Sequence, residues 1–448
     1  KAKQWRVLIQ QGETKVWENF DGVALCQGLY WKPFIPSIKG LDLFQGKIIH
    51  AGQYYDNQVL QDKRVLVIGN GVSGMDIAEE ASQTAKDVFW SMRSLKLIMP
   101  RMTGFLPNDF QSPASLLIQD NANTIIERLR HSMPQYYALY EQSGLLPKRE
   151  DFKKNPVVHI NDNIVKLVAE GKVQSILGEV EEFVSDGCIF AGSKKVVKNL
   201  DVVVFCTGYQ TSTPWDYLKD ISINEFSMGI FYHKNPSLVN TSCLLPVAFS
   251  GTFYFPEMVS RWYAQIMSGN YQLSQQELDH RIGQEHAAIN GPISSVLFGL
   301  KLGLLPKPEK EFKEFWQLLN YPSFPMIYRL RGPHQDSQAQ ELLTKSIRHS
   351  LLKNDQQDQK LQEVKYRLLA GLGRETLQDL LKRREITETD YQEALNKLHA
   401  PLSLDWESQY IKSGHYCEEE IYYKRLVSKL KNNELDAETL IKELWVSA

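Results

Sequence analysis

The hexapeptide Gly69-Asn70-Gly71-Val72-Ser73-Gly74 lies between a short β-branched run, Arg64 to Ile68, and a stretch in which Met75, Ile77, Ala78 and Ala81 recur at helical spacing. Three glycines at these offsets, behind a strand and ahead of a helix, restrict the region to a strand–turn–helix unit. Gly69 is expected to make the tight turn, Gly71 to let backbone approach a pyrophosphate, and Gly74 to let helix and strand pack closely. The helix N-terminus then offers unpaired N–H groups and partial positive charge to phosphate. A further strand, Asp87 to Ser91, completes a βαβ unit of about 30 residues. The alternative is a glycine-rich turn that holds no ligand.

The end of the second strand of such a unit discriminates between NAD and NADP, because a carboxylate there bonds the ribose hydroxyl and repels an added phosphate. Here it reads Phe89-Trp90-Ser91-Met92-Arg93-Ser94. No acid is present. Arg93 offers a planar fork suited to a 2′-phosphate, with Ser91 or Ser94 as further donors, and NADPH is the expected coenzyme. A solvated surface arginine is the competing explanation.

Composition removes other classes. The 448 residues, 43% apolar and 23% charged, suit a globular chain of about two or three domains. A formal net charge of −2 and a pI near 6.6 give no field for a polyanion, so nucleic acid is not an expected partner. Cys26, Cys188, Cys206, Cys243 and Cys417 are odd in number, far apart and without C-x-x-C spacing, which argues against a disulfide framework and a zinc site and fits a reducing, cytoplasmic setting. The apolar stretch Ile293 to Leu305 is interrupted by Lys301 and falls short of the roughly 20 residues of a spanning helix. The chain begins at Lys1 with no signal pattern, so the natural N-terminus is expected to be absent and membrane attachment through it stays open.

Strand signals occur at Trp5 to Ile9, Gly22 to Cys26, Val173 to Ile176, Glu182 to Val184 and Cys188 to Phe190. The run Asp201-Val202-Val203-Val204-Phe205 is expected to be a central parallel strand buried on both faces. Residues 100 to 170 are mixed, with amphipathic pieces at Asn123 to Leu129 and Asn163 to Ala169. From about Leu351 the chain is polar and helical, with N-cap candidates at Thr387 and Asp436, and is expected to be a separate appendage.

Ahead of the glycine unit stands Phe44-Gln45-Gly46-Lys47-Ile48-Ile49-His50-Ala51-Gly52-Gln53-Tyr54. By spacing alone, a histidine among glycine and aromatic residues is a packed linker residue. The pattern F-x-G-x-x-x-H-x-x-x-Y just before a second nucleotide fingerprint nevertheless resembles the identifying motif of the flavin-containing monooxygenases. The related Baeyer-Villiger enzymes carry Trp where Tyr54 stands. Tyr55 departs from the Lys or Asp of the family pattern, and Asp56 follows it. Phe205-Cys206-Thr207-Gly208-Tyr209 resembles the family's A-T-G-Y segment, with Cys206 for Ala. Asp21 to Gly28 is similar to the earlier strand that leads into a P-x-x-P linker, here Pro33 to Pro36; Gly28 and Gly208 can equally be ordinary strand-end turns. Pro256-Glu257-Met258-Val259-Ser260-Arg261-Trp262 resembles the P-x-x-E-x-Q-x-R-W stretch with Val259 for Gln, and Glu257 with Arg261 also forms an i, i+4 pair. Tyr328-Arg329-Leu330-Arg331-Gly332-Pro333 is similar to a C-terminal signature. The resemblance covers about Trp5 to Ser346.

It implies an α/β fold with two Rossmann-like dinucleotide-binding domains, the first incomplete at its N-terminus, plus a C-terminal helical extension. The expected division is residues 1–57 as remnant of the FAD-binding domain and linker, 58–210 as NADPH-binding domain with an insertion, 211–348 as return to the FAD-binding domain, and 349–448 as helical appendage. The family's own G-x-G-x-x-G unit for FAD would precede Lys1. The implied chemistry is reduction of FAD by NADPH and transfer of oxygen from O2, through a flavin hydroperoxide, to a soft nitrogen or sulfur of a small amine or thioether. Cofactor-binding residues are then Gly69, Asn70, Gly71, Val72, Ser73, Gly74, Ser91, Arg93, Thr207, Gly208 and Tyr209. His50 and Tyr54 are expected to shape the linker and not to transfer protons. No Ser/His/Asp or metal constellation stands out. A silent NADPH-binding or scaffold protein is the alternative; for its tail, Leu377 to Leu398, a homo-oligomeric contact and a solvated helical hairpin both stay open. A flavin disulfide reductase is disfavoured by the lack of a paired-cysteine motif.

Overall fold

The computed structural model describes residues 4–26, 28, 30–103, 106–107, 126, 129–130, 133–148, 158–210, 221–241, 247–248, 254–279, 289–307, 310–311, 314–315, 318, 324–343, 345, 366, 374–384 and 386–399. The chain opens with an antiparallel hairpin, β1 (Trp5–Gln11) and β2 (Thr14–Phe20), and continues through β3 (Val23–Leu25) to β4 (Lys47–His50). Next come β5 (Arg64–Ile68), helix α1 (Val72–Thr84) and β6 (Asp87–Met92), the βαβ unit expected from the glycine spacing.

These elements build a five-stranded sheet in the order Gln174–Leu177, β6, β5, Val202–Phe205, β4, with every pair parallel. Val202–Phe205 lies between β5 and β4 and all four residues are buried, because a parallel strand in this position is covered on both faces. Alternation along the strands sends Val65, Val67, Val202 and Val204 towards Met75, Ile77, Ala78 and Ala81 of α1. Leu66, Ile68, Val203 and Phe205 point the other way, onto Phe183, Cys188, Phe190 and Val197 of a three-stranded antiparallel meander (Val180–Val184, Gly187–Phe190, Val196–Lys198). One face of the sheet is thus capped by a helix and the other by a small sheet.

The segment at 158–169 is tied to α1 by polar contacts. Asn161 Nδ2 donates to Asp76 Oδ1 at 3.0 Å and Glu79 Oε2 at 2.9 Å, and Asn163 Nδ2 to Glu79 Oε1 at 2.6 Å. Burial raises the Asp76 carboxyl above its ordinary range, partly offset by the Asn161 bond. The amphipathic piece Asn163 to Ala169 forms a helix, Ile164–Ala169, with Ile164 and Val165 inward. Most of Asn123 to Leu129 lies outside the described residues.

A second body joins distant parts of the chain. Leu238–Asn240 pairs parallel with β3, in a four-stranded sheet completed by Phe226–Ser227 and Phe231–Tyr232, so a strand beyond residue 211 returns to one from the first 57. Its core holds Phe231, Phe255, Met258, Val259, Trp262 and Phe298, with helix Tyr254–Met267 against helix Gly291–Lys301. The stretch expected as an appendage is described at 366, 374–384 and 386–399, and there Leu377, Leu380, Ile386 and Ala394 are buried in this same core. These residues are continuous with the second body, because the leucine-bearing faces of helices Arg374–Lys382 and Glu388–His399 find apolar partners on it. Thr387 caps the latter helix: its Oγ1 accepts from Asp390 N at 3.0 Å, and its N–H donates to Asp390 Oδ2 at 3.1 Å. Asp436, Cys243 and Cys417 lie outside the described residues. Among the described residues no helix is long and apolar enough to cross a membrane, and no group of three or more His, Cys, Asp or Glu is placed to hold a metal ion.

Candidate functional site

All five parallel strands end on one edge, and the motif residues collect there: Gly69 after β5, Arg93 after β6, Cys206 to Tyr209 after Val202–Phe205, and Ala51 to Tyr54 after β4. Chain order reverses across β5, which has β6 on one side and the later strand Val202–Phe205 on the other. That is a switch point, where open α/β sheets leave a crevice for ligand.

The three glycines of the turn have separate reasons. Gly69 has φ +119°, and a Cβ there would lie 2.3 Å from the carbonyl oxygen of Cys206. A Cβ on Gly74 would lie 1.9 Å from the carbonyl oxygen of Gly69. Both positions are closed by the protein's own backbone. Gly71 differs, since a Cβ there meets nothing within 4 Å. It is the N-cap of α1, no side chain caps it, and Val72 and Ser73 beside it are exposed. The positive end of a thirteen-residue helix therefore opens onto solvent across a smooth backbone surface.

The end of β6 is held against this turn. Gly69 N donates to Ser91 O at 2.9 Å, Trp90 Nε1 donates to Gly69 O at 2.9 Å, and Asn70 Nδ2 donates to Ser94 O. Arg93 and Ser94 are exposed beside the turn. Ser91 is not available as a donor: it is buried, and its hydroxyl donates to Gly178 O at 3.0 Å. Trp90, 1% exposed, had no role in the sequence reading, yet its indole N–H fixes the first carbonyl of the turn. Glu179 was also missed. It stands beside Arg93, its Oε1 3.6 Å from Nη1, and it belongs to a different strand's end.

His50 connects two motifs. Its Nδ1 accepts from Gly52 N at 3.0 Å, which leaves the proton on Nε2 to be donated to Gly208 O at 2.8 Å. Gly208 O also accepts from Phe34 N at 3.0 Å, Gln210 N donates to Lys32 O at 2.8 Å, and Thr207 Oγ1 donates to Phe34 O. The Pro33 to Pro36 linker is thereby paired to Thr207-Gly208-Tyr209. The Tyr209 ring stands edge-on to His50 at 5.1 Å and near Tyr30 at 5.4 Å. Tyr54 OH donates to Glu80 Oε2 at 2.8 Å, anchoring the motif to α1, and burial followed by that carboxylate pushes its phenol well above the ordinary range. Burial also pushes the Cys206 thiol up to about 12, which makes it unreactive. Replacing His50 by phenylalanine keeps a ring but removes both bonds. It is expected to lower stability by about 1–3 kcal/mol in urea unfolding, and a change below about 0.5 kcal/mol would show that the linker holds without it.

Away from this edge, the two remaining signatures clip to each other. Arg329 Nε and Nη2 donate to Glu257 Oε1 at 3.1 and 2.7 Å, while Arg261 Nη1 lies 3.8 Å from the same oxygen. Arg261 instead donates to Tyr328 O at 2.9 Å and Pro333 O at 2.6 Å. Val259, where the resemblance expects Gln, is fully buried in the apolar core.

A glycine turn opening a helix at the carboxyl edge of a parallel sheet is the arrangement found in dinucleotide-binding α/β proteins. Residues 1–289 match the family described as Flavin-binding monooxygenase-like, and the chain belongs to that family. Its relatives include the 4-hydroxybenzoate brominase (decarboxylating) of Pseudoalteromonas luteoviolacea (strain 2ta16), 26% identical over 359 residues, covering 74% of this chain and 69% of that protein. Flavin-containing monooxygenase 5 of Homo sapiens is 28% identical over 369 residues, covering 74% of this chain and 66% of its own length. Among solved structures, Tmm from Pelagibacter sp. strain HTCC7211 is 17% identical with a TM-score of 0.40, and the alignment covers 77% of this chain and 60% of that one. The chain thus spans about two thirds of the length of the curated relatives it matches.

Proposed function

We propose that the turn Gly69 to Gly74 holds the diphosphate of NADPH. On this reading the protein oxygenates a soft nitrogen or sulfur of a small amine or thioether, using FAD and O2. The open space at Gly71, in front of an uncapped helix N-terminus, carries the proposal. Family membership supports the flavin chemistry, and Tyr54 in the place of tryptophan favours heteroatom oxygenation over ring expansion.

When bound, the coenzyme and the flavin supply hydride transfer and oxygen activation. This chain's residues supply binding and orientation. The backbone N–H groups of Val72 and Ser73 would hold the diphosphate, with Asn70 keeping the end of β6 in place. Arg93, exposed at that end, would hold the 2′-phosphate, with Ser94 as the adjacent hydroxyl. Gly28 and Gly208, with φ +76° and +79° and open space where a Cβ would be, would leave room for a cofactor beside them. Thr207 and Tyr209 hold the Pro33 to Pro36 linker, so their part is positioning. His50 and Tyr54, with hydrogen bonds to Gly208 and Glu80, act in the same way.

Arg93→Ala is expected to raise KM for NADPH by about tenfold or more while leaving that for NADH within about twofold, since a charge-assisted contact to phosphate is worth ~1.5–3 kcal/mol. Equal effects on both coenzymes would remove Arg93 from the site. The oxygenase reading is tested by the absorbance spectrum of protein from the complete gene, then NADPH oxidation with and without a tertiary amine or thioether. A colourless protein that binds NADPH would favour the silent scaffold.

A further inference from the structure

The acid missing from the end of β6 in the sequence is supplied by the neighbouring strand. Gln174–Leu177 runs parallel to β6 with Leu177 beside Met92. Gly178 N donates to Met92 O at 2.8 Å, Ser91 Oγ donates to Gly178 O at 3.0 Å, and Ala191 N donates to Glu179 O at 2.8 Å. Backbone is therefore fixed on both sides of Glu179, and its carboxylate is delivered beside the Arg93 guanidinium. The 3.6 Å separation is too long for a hydrogen bond, and the side chains are 60% and 82% exposed, so this is an open, hydrated ion pair and no clamp.

We propose that Glu179 sets the coenzyme preference of this site, competing with the 2′-phosphate for Arg93. This rests on the NADPH reading above. An incoming phosphate dianion must displace the carboxylate and then lie near a like charge, which weakens NADPH. NADH brings no 2′-phosphate, leaves the ion pair in place and offers ribose hydroxyls that donate to the carboxylate. The site holds both determinants at adjacent strand ends, an arginine just after β6 and an acid just after Gln174–Leu177. It therefore discriminates less between the coenzymes than Arg93 alone would make it.

The test uses the full chain, titrating NADPH and NADH by their nicotinamide fluorescence. Wild type, Glu179→Gln, Arg93→Ala and the double variant are compared, with thermal melts to show that all are folded. Glu179→Gln is expected to raise the NADPH-over-NADH affinity ratio about two- to fivefold, and the gain is expected to be clearly smaller when Arg93 is already alanine, because only the direct repulsion and the ribose contact then remain to be removed. A ratio that Glu179→Gln leaves unchanged, or an equal gain in the Arg93→Ala background, overturns the inference while dinucleotide binding stands. Wild-type protein that binds neither coenzyme overturns the NADPH reading and this inference with it.

Discussion

Replacing Gly71 by alanine is expected to weaken NADPH binding at least tenfold while leaving the fold intact, whereas Gly69→Ala is expected to lose both. The two glycines are close in sequence but face different neighbours. At Gly71 a Cβ meets no protein atom within 4 Å, and its φ of −75° suits any residue. The small N-cap penalty of alanine and its lower unfolded-state entropy offset each other to within about 1 kcal/mol. On the proposed reading, what the new methyl would obstruct is the approach of a diphosphate to the helix N-terminus. At Gly69, φ +119° costs an L-residue about 1–3 kcal/mol, and a Cβ 2.3 Å from Cys206 O adds an overlap of about 1–3 kcal/mol that backbone cannot easily relieve. Thermal melts and NADPH titrations of the two variants provide the check. A Gly71→Ala protein that binds NADPH like wild type would mean that the coenzyme does not lie over this turn.

The second large effect is expected at Arg261→Met. Arg261 is 8% exposed, and its guanidinium donates to two backbone carbonyls, Tyr328 O and Pro333 O, in the segment that follows helix Gly291–Lys301 in the chain. Burial lowers its pKa from the ordinary arginine value, an effect opposed by Glu257. Methionine keeps the length of the side chain but none of its donors, so the loop Tyr328 to Pro333 loses two hydrogen bonds to helix Tyr254–Met267 and keeps the Arg329–Glu257 pair. The expected loss is about 2–4 kcal/mol, measured by urea unfolding with the m-value preserved. A loss under 1 kcal/mol would show that Glu257 with Arg329 holds the loop without help. Because Arg261 lies away from the glycine turn, NADPH affinity in the folded fraction is expected to stay within about twofold.

The glycine turn was legible because its logic is local: strand, bend and helix follow one another within a few residues, and each glycine offset has its own steric reason. Val202 to Phe205 was legible as a central strand because burial on both faces removes polar residues from it. From sequence spacing alone Ser91 reads as an available donor. It sits in β6 next to Gln174–Leu177, and only strand order shows that its hydroxyl is taken by Gly178. By composition the helices at 374–399 read as an appendage because their polar faces dominate, whereas Leu377, Leu380, Ile386 and Ala394 find their partners on a core built elsewhere in the chain.

By itself the sequence determined the βαβ unit, its open turn and the arginine at the end of β6, since these follow from spacing within about 30 residues. Tertiary structure alone decided what surrounds them. Glu179 reaches Arg93, Trp90 ties down Gly69, and His50 bonds Gly208, because the strands of a parallel sheet all end on one edge and bring residues from separate parts of the chain together.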